Sequence, residues 1–130
     1  MGKHGPKFGQ YLLASKAIEH PTIKDIYWAA AIWEGEGSVS QSGQVSVTQK
    51  RKWILNRFKK LFGGHISPIE GVGVYKTHKC YRWQISGARA RGFLLTIYTI
   101  LSPHRKKQVK WSFTVKRNRE KEYANRRLGS

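Results

Sequence analysis

The stretch from Thr22 to Gly37 constrains the fold most, because it carries both the start and the end of a helix. Thr22 is a residue type that caps helices, and Asp25 follows three positions later, where an acidic side chain can complete a reciprocal cap. Residues 26–33 continue without a helix breaker, and the glycines from Gly35 onward favour a helix end. We therefore predict a helix that begins after Thr22 and stops at Gly35–Gly37.

Two β-hairpins are predicted beyond this helix. Residues 38–49 contain three β-forming valines and a turn sequence, Gln-Ser-Gly-Gln, at 41–44. Residues 65–86 form the second candidate, with its turn near 76–79 and apolar residues alternating with polar ones over 81–85.

Helical spacing of apolar residues recurs over 53–62 and over 88–101. Ser102-Pro103 then predicts the start of a last helix, with a cap followed by proline at the first position, and the basic tail at 116–127 either extends it or frays. Residues 11–19 are a further candidate for a short helix before Pro21.

The resulting order is helix, two strands, helix, two strands, helix, helix. It predicts an α+β fold, with helices covering one face of an antiparallel sheet and the other face free to bind a partner. The length of 130 residues suits one compact domain. We assign residues 1–21 to a basic leader, 22–116 to the domain and 117–130 to a basic C-terminal extension.

The charge of the chain points to polyanionic partners. Lysine and arginine number 25 against 7 acidic residues, a formal net charge of +18. A field of this strength drives association with phosphate backbones, so nucleic acid is the favoured partner. A ribosomal-type RNA-binding protein and a membrane-surface protein are the alternatives that charge alone leaves open.

Cysteine content and hydropathy limit where the chain works. Cys80 is the single cysteine, which excludes an intramolecular disulfide and fits an intracellular, reducing compartment such as the cytoplasm, the nucleoid or an organelle matrix. No apolar run is long enough to cross a membrane, and the first residues lack the apolar stretch of a signal peptide. We expect no membrane partner and no small-molecule substrate.

Carboxylates are scarce, which narrows where metal-assisted chemistry can occur. The seven are Glu19, Asp25, Glu34, Glu36, Glu70, Glu120 and Glu122. Two of them stand at the end of the apolar helix, where negative charge opposes the helix dipole, and that cost suggests a functional use. Asp25 is better explained as a cap, and Glu120 and Glu122 as weak surface pairs in a basic tail. The histidines lack zinc spacing, no phosphate-binding Gly-Lys-Ser/Thr loop is present, and a Ser-His-Asp triad would need the capping aspartate.

Three blocks, taken in order, resemble the LAGLIDADG homing endonucleases. Residues 29–39 read AAAIWEGEGSV, similar to the signature LAGFIDGEGSF of many members. Residues 47–66 run from Val-Thr-Gln-Lys to Phe-Gly-Gly-His-Ile, and residues 104–109, after Leu101, read His-Arg-Lys-Lys-Gln-Val. The likeness covers about residues 22–115.

The resemblance implies an αββαββα domain in which the antiparallel sheet forms a saddle on DNA. It also implies that signature helices of two chains pack against each other across a twofold axis, with Ala31 and Gly35 as the small residues of the contact. One signature in a short chain implies a homodimer on double-stranded DNA.

The resemblance also assigns roles at the reaction centre. Glu36 holds the position of the acid that binds Mg²⁺ (or Mn²⁺), and Glu34 holds the earlier acidic position at the helix end. Gln49 would order water near the metal. Arg105 or Lys107 would supply a cation that faces the cleaved phosphate, and the choice between the two stays open.

One parity of the first hairpin carries only uncharged hydrogen-bonding residues, and two positions of the second hairpin continue this polar face. A two-stranded ribbon fits the major groove, so we predict base contacts from Ser38, Ser40, Ser42, Gln44, Ser46, Thr48, Arg82 and Gln84. Nearby cations would contact phosphates, and these are Lys50, Arg51, Lys76, Lys79, Arg89 and Arg91.

We therefore expect a site-specific DNA endonuclease that cuts a long pseudo-palindromic duplex and serves intron or intein mobility. A non-cleaving DNA-binding regulator or an RNA-splicing maturase on the same fold is the alternative. A ribosomal-type RNA-binding protein is the third interpretation, and it predicts binding of structured RNA with no divalent-dependent cleavage.

Overall fold

A computed structural model describes residues 16–69 and 79–129, apart from the side chains of 116–119 and 127–129. Within these residues the elements follow in the predicted order. They are α1 (Ile23–Glu36), β1 (Gly37–Val39), β2 (Val45–Gln49), α2 (Lys52–Phe62), β3 (His65–Ile69), β4 (Cys80–Ile85), α3 (Gly87–Ile97), a 3-10 turn (Tyr98–Ile100) and α4 (Pro103–Gly129).

Two early predictions fall partly outside these ranges. Residues 16–19 of the candidate short helix at 11–19 are not helical, and the rest of that segment lies outside the described residues. Residues 76–78 of the predicted second hairpin turn also lie outside the described residues.

Helix α1 begins and ends where its local sequence predicts. The side chain of Asp25 accepts the backbone N–H of Thr22 at 2.9 Å, and the Thr22 hydroxyl accepts the N–H of Asp25 at 3.2 Å. This reciprocal pair satisfies donors that the first helical turn leaves free. At the other end the N–H of Gly37 bonds the carbonyl of Trp33, so the helix stops after Glu36.

The described strands form one antiparallel sheet in the order β1-β2-β4-β3. The two hairpins lie side by side because β2 pairs with β4, with Val47 opposite Trp83. Trp83 in turn lies opposite Ile66 of β3. The predicted antiparallel α+β class is confirmed, and the strand order is a finding of the structure.

One face of the sheet carries the core. Val45, Val47 and Trp83 are fully buried beneath the helices, and the rings of Trp83 and Phe58 from α2 lie 4.7 Å apart between centroids. Burial of apolar surface on this scale is the main favourable term in folding. The indole N–H of Trp83 donates to the carbonyl oxygen of Gly63 at 2.8 Å, so its polar group is satisfied inside the core.

Replacing Gly64 with alanine is expected to destabilise the fold by about 3 kcal/mol, combining left-handed backbone strain with overpacking. Gly64 has φ +95°, and a Cβ there would lie 2.6 Å from Cγ2 of Ile85 and closer still to the backbone oxygen of Gln84. Urea unfolding measures the loss. Gly92→Ala is the control, because a Cβ at Gly92 of α3 meets nothing within 4 Å. Equal stability of the two variants would contradict the packing described at Gly64.

Helix α4 is long and starts as predicted. Ser102 caps it through its hydroxyl, which accepts the N–H of Arg105 at 3.3 Å, and Pro103 occupies the first helical position. The helix runs without a break through residues 116 and 117, so the predicted extension continues the domain's last helix. Among the described residues, no helix is long and apolar enough to span a membrane.

Candidate metal site and nucleic-acid face

Glu36 and Gln49 meet where α1 and β2 end. The side-chain amide N–H of Gln49 donates to Oε2 of Glu36, although the two residues lie 13 positions apart. The amide oxygen of Gln49 accepts the backbone N–H of Lys50 at 2.9 Å, which fixes the direction of the amide. The Glu36 residue is exposed. The structure thus brings together two of the residues to which the resemblance assigns roles in metal chemistry.

The donors at this position fit a hard divalent cation shared with a ligand. Mg²⁺ prefers carboxylate and carbonyl oxygen, and it commonly binds through one or two carboxylates together with water and substrate phosphates. Among residues 16–69 and 79–129, no three His, Cys, Asp or Glu residues gather as a metal-holding group. Within the part of the chain that the structure describes, Glu36 therefore offers one exposed carboxylate here, without a gathered set of further ligands around it.

Glu34 lies at the end of α1, but its carboxylate binds Ser102, the residue that caps α4. Its Oε1 accepts the backbone N–H of Ser102 at 2.7 Å, and its Oε2 accepts the Ser102 hydroxyl at 2.9 Å. The carboxylate lies at the N-terminus of α4, where negative charge is favourable. These bonds, the backbone N–H foremost, hold the pKa of Glu34 below its ordinary value, helped by the charge of Arg105. The predicted helix-end acid is thus a cap for α4.

Glu34→Gln is expected to lower the free energy of unfolding by about 1 kcal/mol at neutral pH. This is below the usual contribution of about 1.5–3 kcal/mol from a hydrogen bond to a charged group, because the Glu34 side chain is 37% exposed and water screens it. A folded pKa below the ordinary value of 4.5 means that the stabilisation is present above pH 4.5 and is lost as the pH falls through the folded pKa.

Urea unfolding of both proteins between neutral pH and pH 3 tests this. Asp25 also has a lowered pKa, caused first by the backbone N–H of Thr22, but it affects both proteins alike and cancels in the difference. The difference should narrow below about pH 4.5. A difference that stays constant with pH would show that the Glu34 charge contributes nothing.

Arg105 points into the protein. Its Nε donates to the carbonyl oxygen of Glu34 at 3.1 Å, and Nη2 donates to that of Gly37 at 2.9 Å. Its Nη1 donates to Oε1 of Gln108 at 2.9 Å, and the side chain is 14% exposed. Lys107, the other candidate for the cation that faces the phosphate, is exposed on α4. The assignment of this cation stays a prediction, and the exposure of the two side chains favours Lys107.

The predicted dimer contacts lie together on the outer face of α1. Ile23, Tyr27, Ala31 and Gly35 recur every four residues and are all exposed, Ile23 by 74% and Tyr27 by 58%. A Cβ at Gly35 would meet nothing within 4 Å. The helix therefore presents an apolar face whose smallest residues lie at the end nearest Glu36.

The sheet face opposite the core is polar, as predicted. Two rows of residues cross it from strand to strand, one of Ser38, Ser46, Gln84 and His65, the other of Thr48, Arg82 and Ser67. Most of these residues are half-buried or exposed. Ser67 was missed as a candidate, although alternation along β3 would have identified it once the register of β3 with β4 was known.

Four of the predicted base contacts, all of them serines, have internal hydrogen-bond partners. The hydroxyls of Ser40 and Ser42 lie 2.8 Å apart in the β1–β2 turn, and Ser40 also accepts the N–H of Gln44 at 3.1 Å. Ser46 is 8% exposed, and its hydroxyl lies 2.7 Å from that of Ser38. Ser46 therefore shapes the face between its neighbours and offers little surface of its own.

The predicted phosphate-binding cations are divided between two layers. Lys50 and Arg51 are exposed directly after Gln49, and Lys79 is exposed just before β4. Arg89 and Arg91 lie on α3, on the helical side of the sheet. Lys76 lies outside the described residues.

No protein-family model matches the chain, and no curated protein matches it.

Proposed function

We propose that this chain is one subunit of a homodimeric, LAGLIDADG-type endonuclease that cuts double-stranded DNA with Mg²⁺ or Mn²⁺. The observation that carries the proposal is the pairing of Glu36 with Gln49 at the end of α1, in a protein of net charge +18. The order of helices and strands is the one that the resemblance implies, and it supports the same assignment.

Glu36 would hold the metal, and Gln49 would fix the carboxylate through its amide while ordering nearby water. Bound Mg²⁺ would stabilise charge on the phosphate oxygens and make a water molecule more nucleophilic. This water would attack the phosphorus in line with the scissile bond, which forms a new P–O bond and breaks the bond from phosphorus to the 3′-oxygen. The products carry a 5′-phosphate and a 3′-hydroxyl. Lys107, an exposed cation on α4, would face the phosphate.

Two chains are needed in this proposal because each provides one half-site. The exposed face of α1 supplies the contact, and Ala31 and Gly35 allow close approach of the two helix backbones. An isologous contact through this face relates the two sheets by a twofold axis. The favoured target is therefore a long, roughly palindromic duplex.

The polar sheet face would read the target. Arg82 and Gln84 occupy adjacent rows, and their side chains suit guanine and adenine edges respectively. Each good bidentate pair contributes about 1–3 kcal/mol of discrimination. The exposed cations Lys50, Arg51 and Lys79 would bind phosphates and position the duplex without reading it.

A non-cleaving regulator or RNA-splicing maturase on the same fold is the second candidate. One observation favours it: Arg105, which matches a catalytic cation of the family, donates from each guanidinium nitrogen to groups of its own chain. A protein that binds nucleic acid without cutting it has no need of a cation that stabilises the charge of a cleaved phosphate.

Selection from a long randomised duplex library in Ca²⁺, followed by addition of Mg²⁺, separates the candidates. The endonuclease should recover a palindromic consensus and then cut both strands at fixed positions, and EDTA should prevent the cuts. Recovery of a consensus that is never cut would favour the regulator. Preference for structured RNA over every duplex would favour the RNA-binding interpretation.

A further inference from the structure

The end of α1 and the start of α4 are joined by a reciprocal set of contacts. The Glu34 carboxylate of α1 accepts hydrogen bonds from the backbone N–H and the hydroxyl of Ser102. Ser102 is the residue that caps α4. In return, Arg105 of α4 binds carbonyl oxygens at the end of α1. We call this set, made by Glu34, Ser102 and Arg105, the helix-end clamp.

The clamp acts on the backbone that carries Glu36. The last carbonyls of a helix have no partner within the helix, and a cation near them is favourable. Arg105 donates to the carbonyls of Glu34 and Gly37, which lie on either side of Glu36 in the chain. The segment between these two anchors therefore has little freedom to move.

The Trp33 side chain packs beneath the backbone segment that carries Glu36. It is fully buried, and the Arg105 guanidinium carbon lies 4.7 Å from the centroid of its ring. Gly37 lies so close to the indole that a Cβ at this position would overlap it. The turn that carries Glu36 is thus held against Trp33 on one side and by Arg105 along its carbonyls.

We infer that Arg105 is a positioning residue which fixes the direction of Glu36 toward the divalent cation, and that it is not the cation that faces the phosphate. This inference rests on the proposed function. Arginine suits the role better than lysine, because its planar fork can donate to two carbonyls while stacking on a ring. An ammonium group on a flexible stem cannot hold the same three contacts at once.

The test uses the full chain bound to its selected duplex, made with a non-cleavable linkage at the cut position. Electron paramagnetic resonance of free Mn²⁺ reports metal binding without any turnover. Arg105→Lys and Arg105→Gln are expected to weaken Mn²⁺ binding about tenfold or more, the usual effect of losing a partner that orients a metal ligand. Duplex affinity in EDTA, and its dependence on salt, should match the wild type for Arg105→Lys. For Arg105→Gln both should match Lys110→Gln, which removes an exposed α4 charge.

A phosphate-facing Arg105 predicts the opposite pattern. Arg105→Lys would then keep its Mn²⁺ affinity, and Arg105→Gln would lower the salt slope of duplex binding by about one. That result would overturn the positioning role. If circular dichroism shows that the Arg105 variants are unfolded, Ser102→Ala takes their place. It removes one bond to Glu34 and should weaken Mn²⁺ binding by a smaller factor, and unchanged binding would again overturn the inference.

Failure of the proposed function gives a different result. Wild-type protein that binds no Mn²⁺, or Glu36→Gln protein that binds it as well as the wild type, would remove the metal site itself. Loss of binding in Glu36→Gln, with normal binding in the Arg105 and Ser102 variants, would remove the positioning role and leave the metal site in place.

Discussion

Glu36→Gln is expected to slow duplex cleavage by a factor of about a thousand or more. A bound divalent metal stabilises the reacting phosphate by several kcal/mol, and each 1.36 kcal/mol corresponds to about tenfold in rate. Glutamine keeps the size of the side chain and an oxygen that can still accept from Gln49, but it lacks the charge that holds Mg²⁺. We therefore expect the fold and the duplex affinity in EDTA to be retained while cutting is lost.

Cleavage of the selected duplex under single-turnover conditions measures the effect. Glu122→Gln is the matched control, because it makes the same change at an exposed acid of α4, remote in sequence from the α1 end. Wild-type rates in the Glu36 variant would show that this residue does not hold the metal. A wild-type protein that binds its duplex and never cuts it would instead support the regulator.

Ala31→Arg is expected to convert the proposed dimer to a monomer and to abolish cleavage. A twofold contact brings the two copies of each central residue together, so two guanidinium groups would be placed where the helices must approach. Juxtaposed like charges cost several kcal/mol, which raises the dimer dissociation constant about a thousandfold. The folded chain itself should be unaffected to within about 0.5 kcal/mol, because Ala31 is exposed and arginine is nearly as good a helix former as alanine.

Sedimentation measures the oligomeric state, and urea unfolding at low protein concentration measures the fold. Ala124→Arg adds the same side chain at an exposed position of α4 and should leave both the dimer and cleavage intact. A wild-type protein that is monomeric on its duplex, or an Ala31→Arg protein that still pairs and cuts, would contradict the assignment of this face.

The predictions that succeeded depend on contacts between near neighbours in the sequence. The capping pair of Thr22 and Asp25 spans three positions, and the cap of α4 by Ser102 spans three as well. Such signals are legible because the residue types and their spacing determine the geometry. Pairing of β2 with β4 joins residues 45–49 to 81–85, and it depends on how the whole core packs.

The candidate site divides in the same way. Glu36 and Gln49 came from the resemblance, and the structure adds the hydrogen bond between them. The roles of Glu34 and Arg105 could not be predicted, because their partners lie 68 to 71 positions away. The charge of Glu34 was expected to destabilise the end of its own helix. The sequence did not indicate that this carboxylate lies at the start of α4, where negative charge is favourable. Ser46 was predicted to contact bases because alternation along the strand predicts which face of the sheet a residue lies on. Alternation does not predict how far neighbouring side chains bury that residue, and Ser46 is 8% exposed.

Each chain presents one exposed acidic side chain, Glu36, at the end of α1, and this has a consequence for dosage in the host cell. If cleavage needs Glu36 from each of two chains, the number of active dimers at low protein concentration rises with the square of that concentration. A solitary, newly made chain could then scan chromosomes without nicking them. Damage to the genome would then be limited by how often two copies meet on the same sequence.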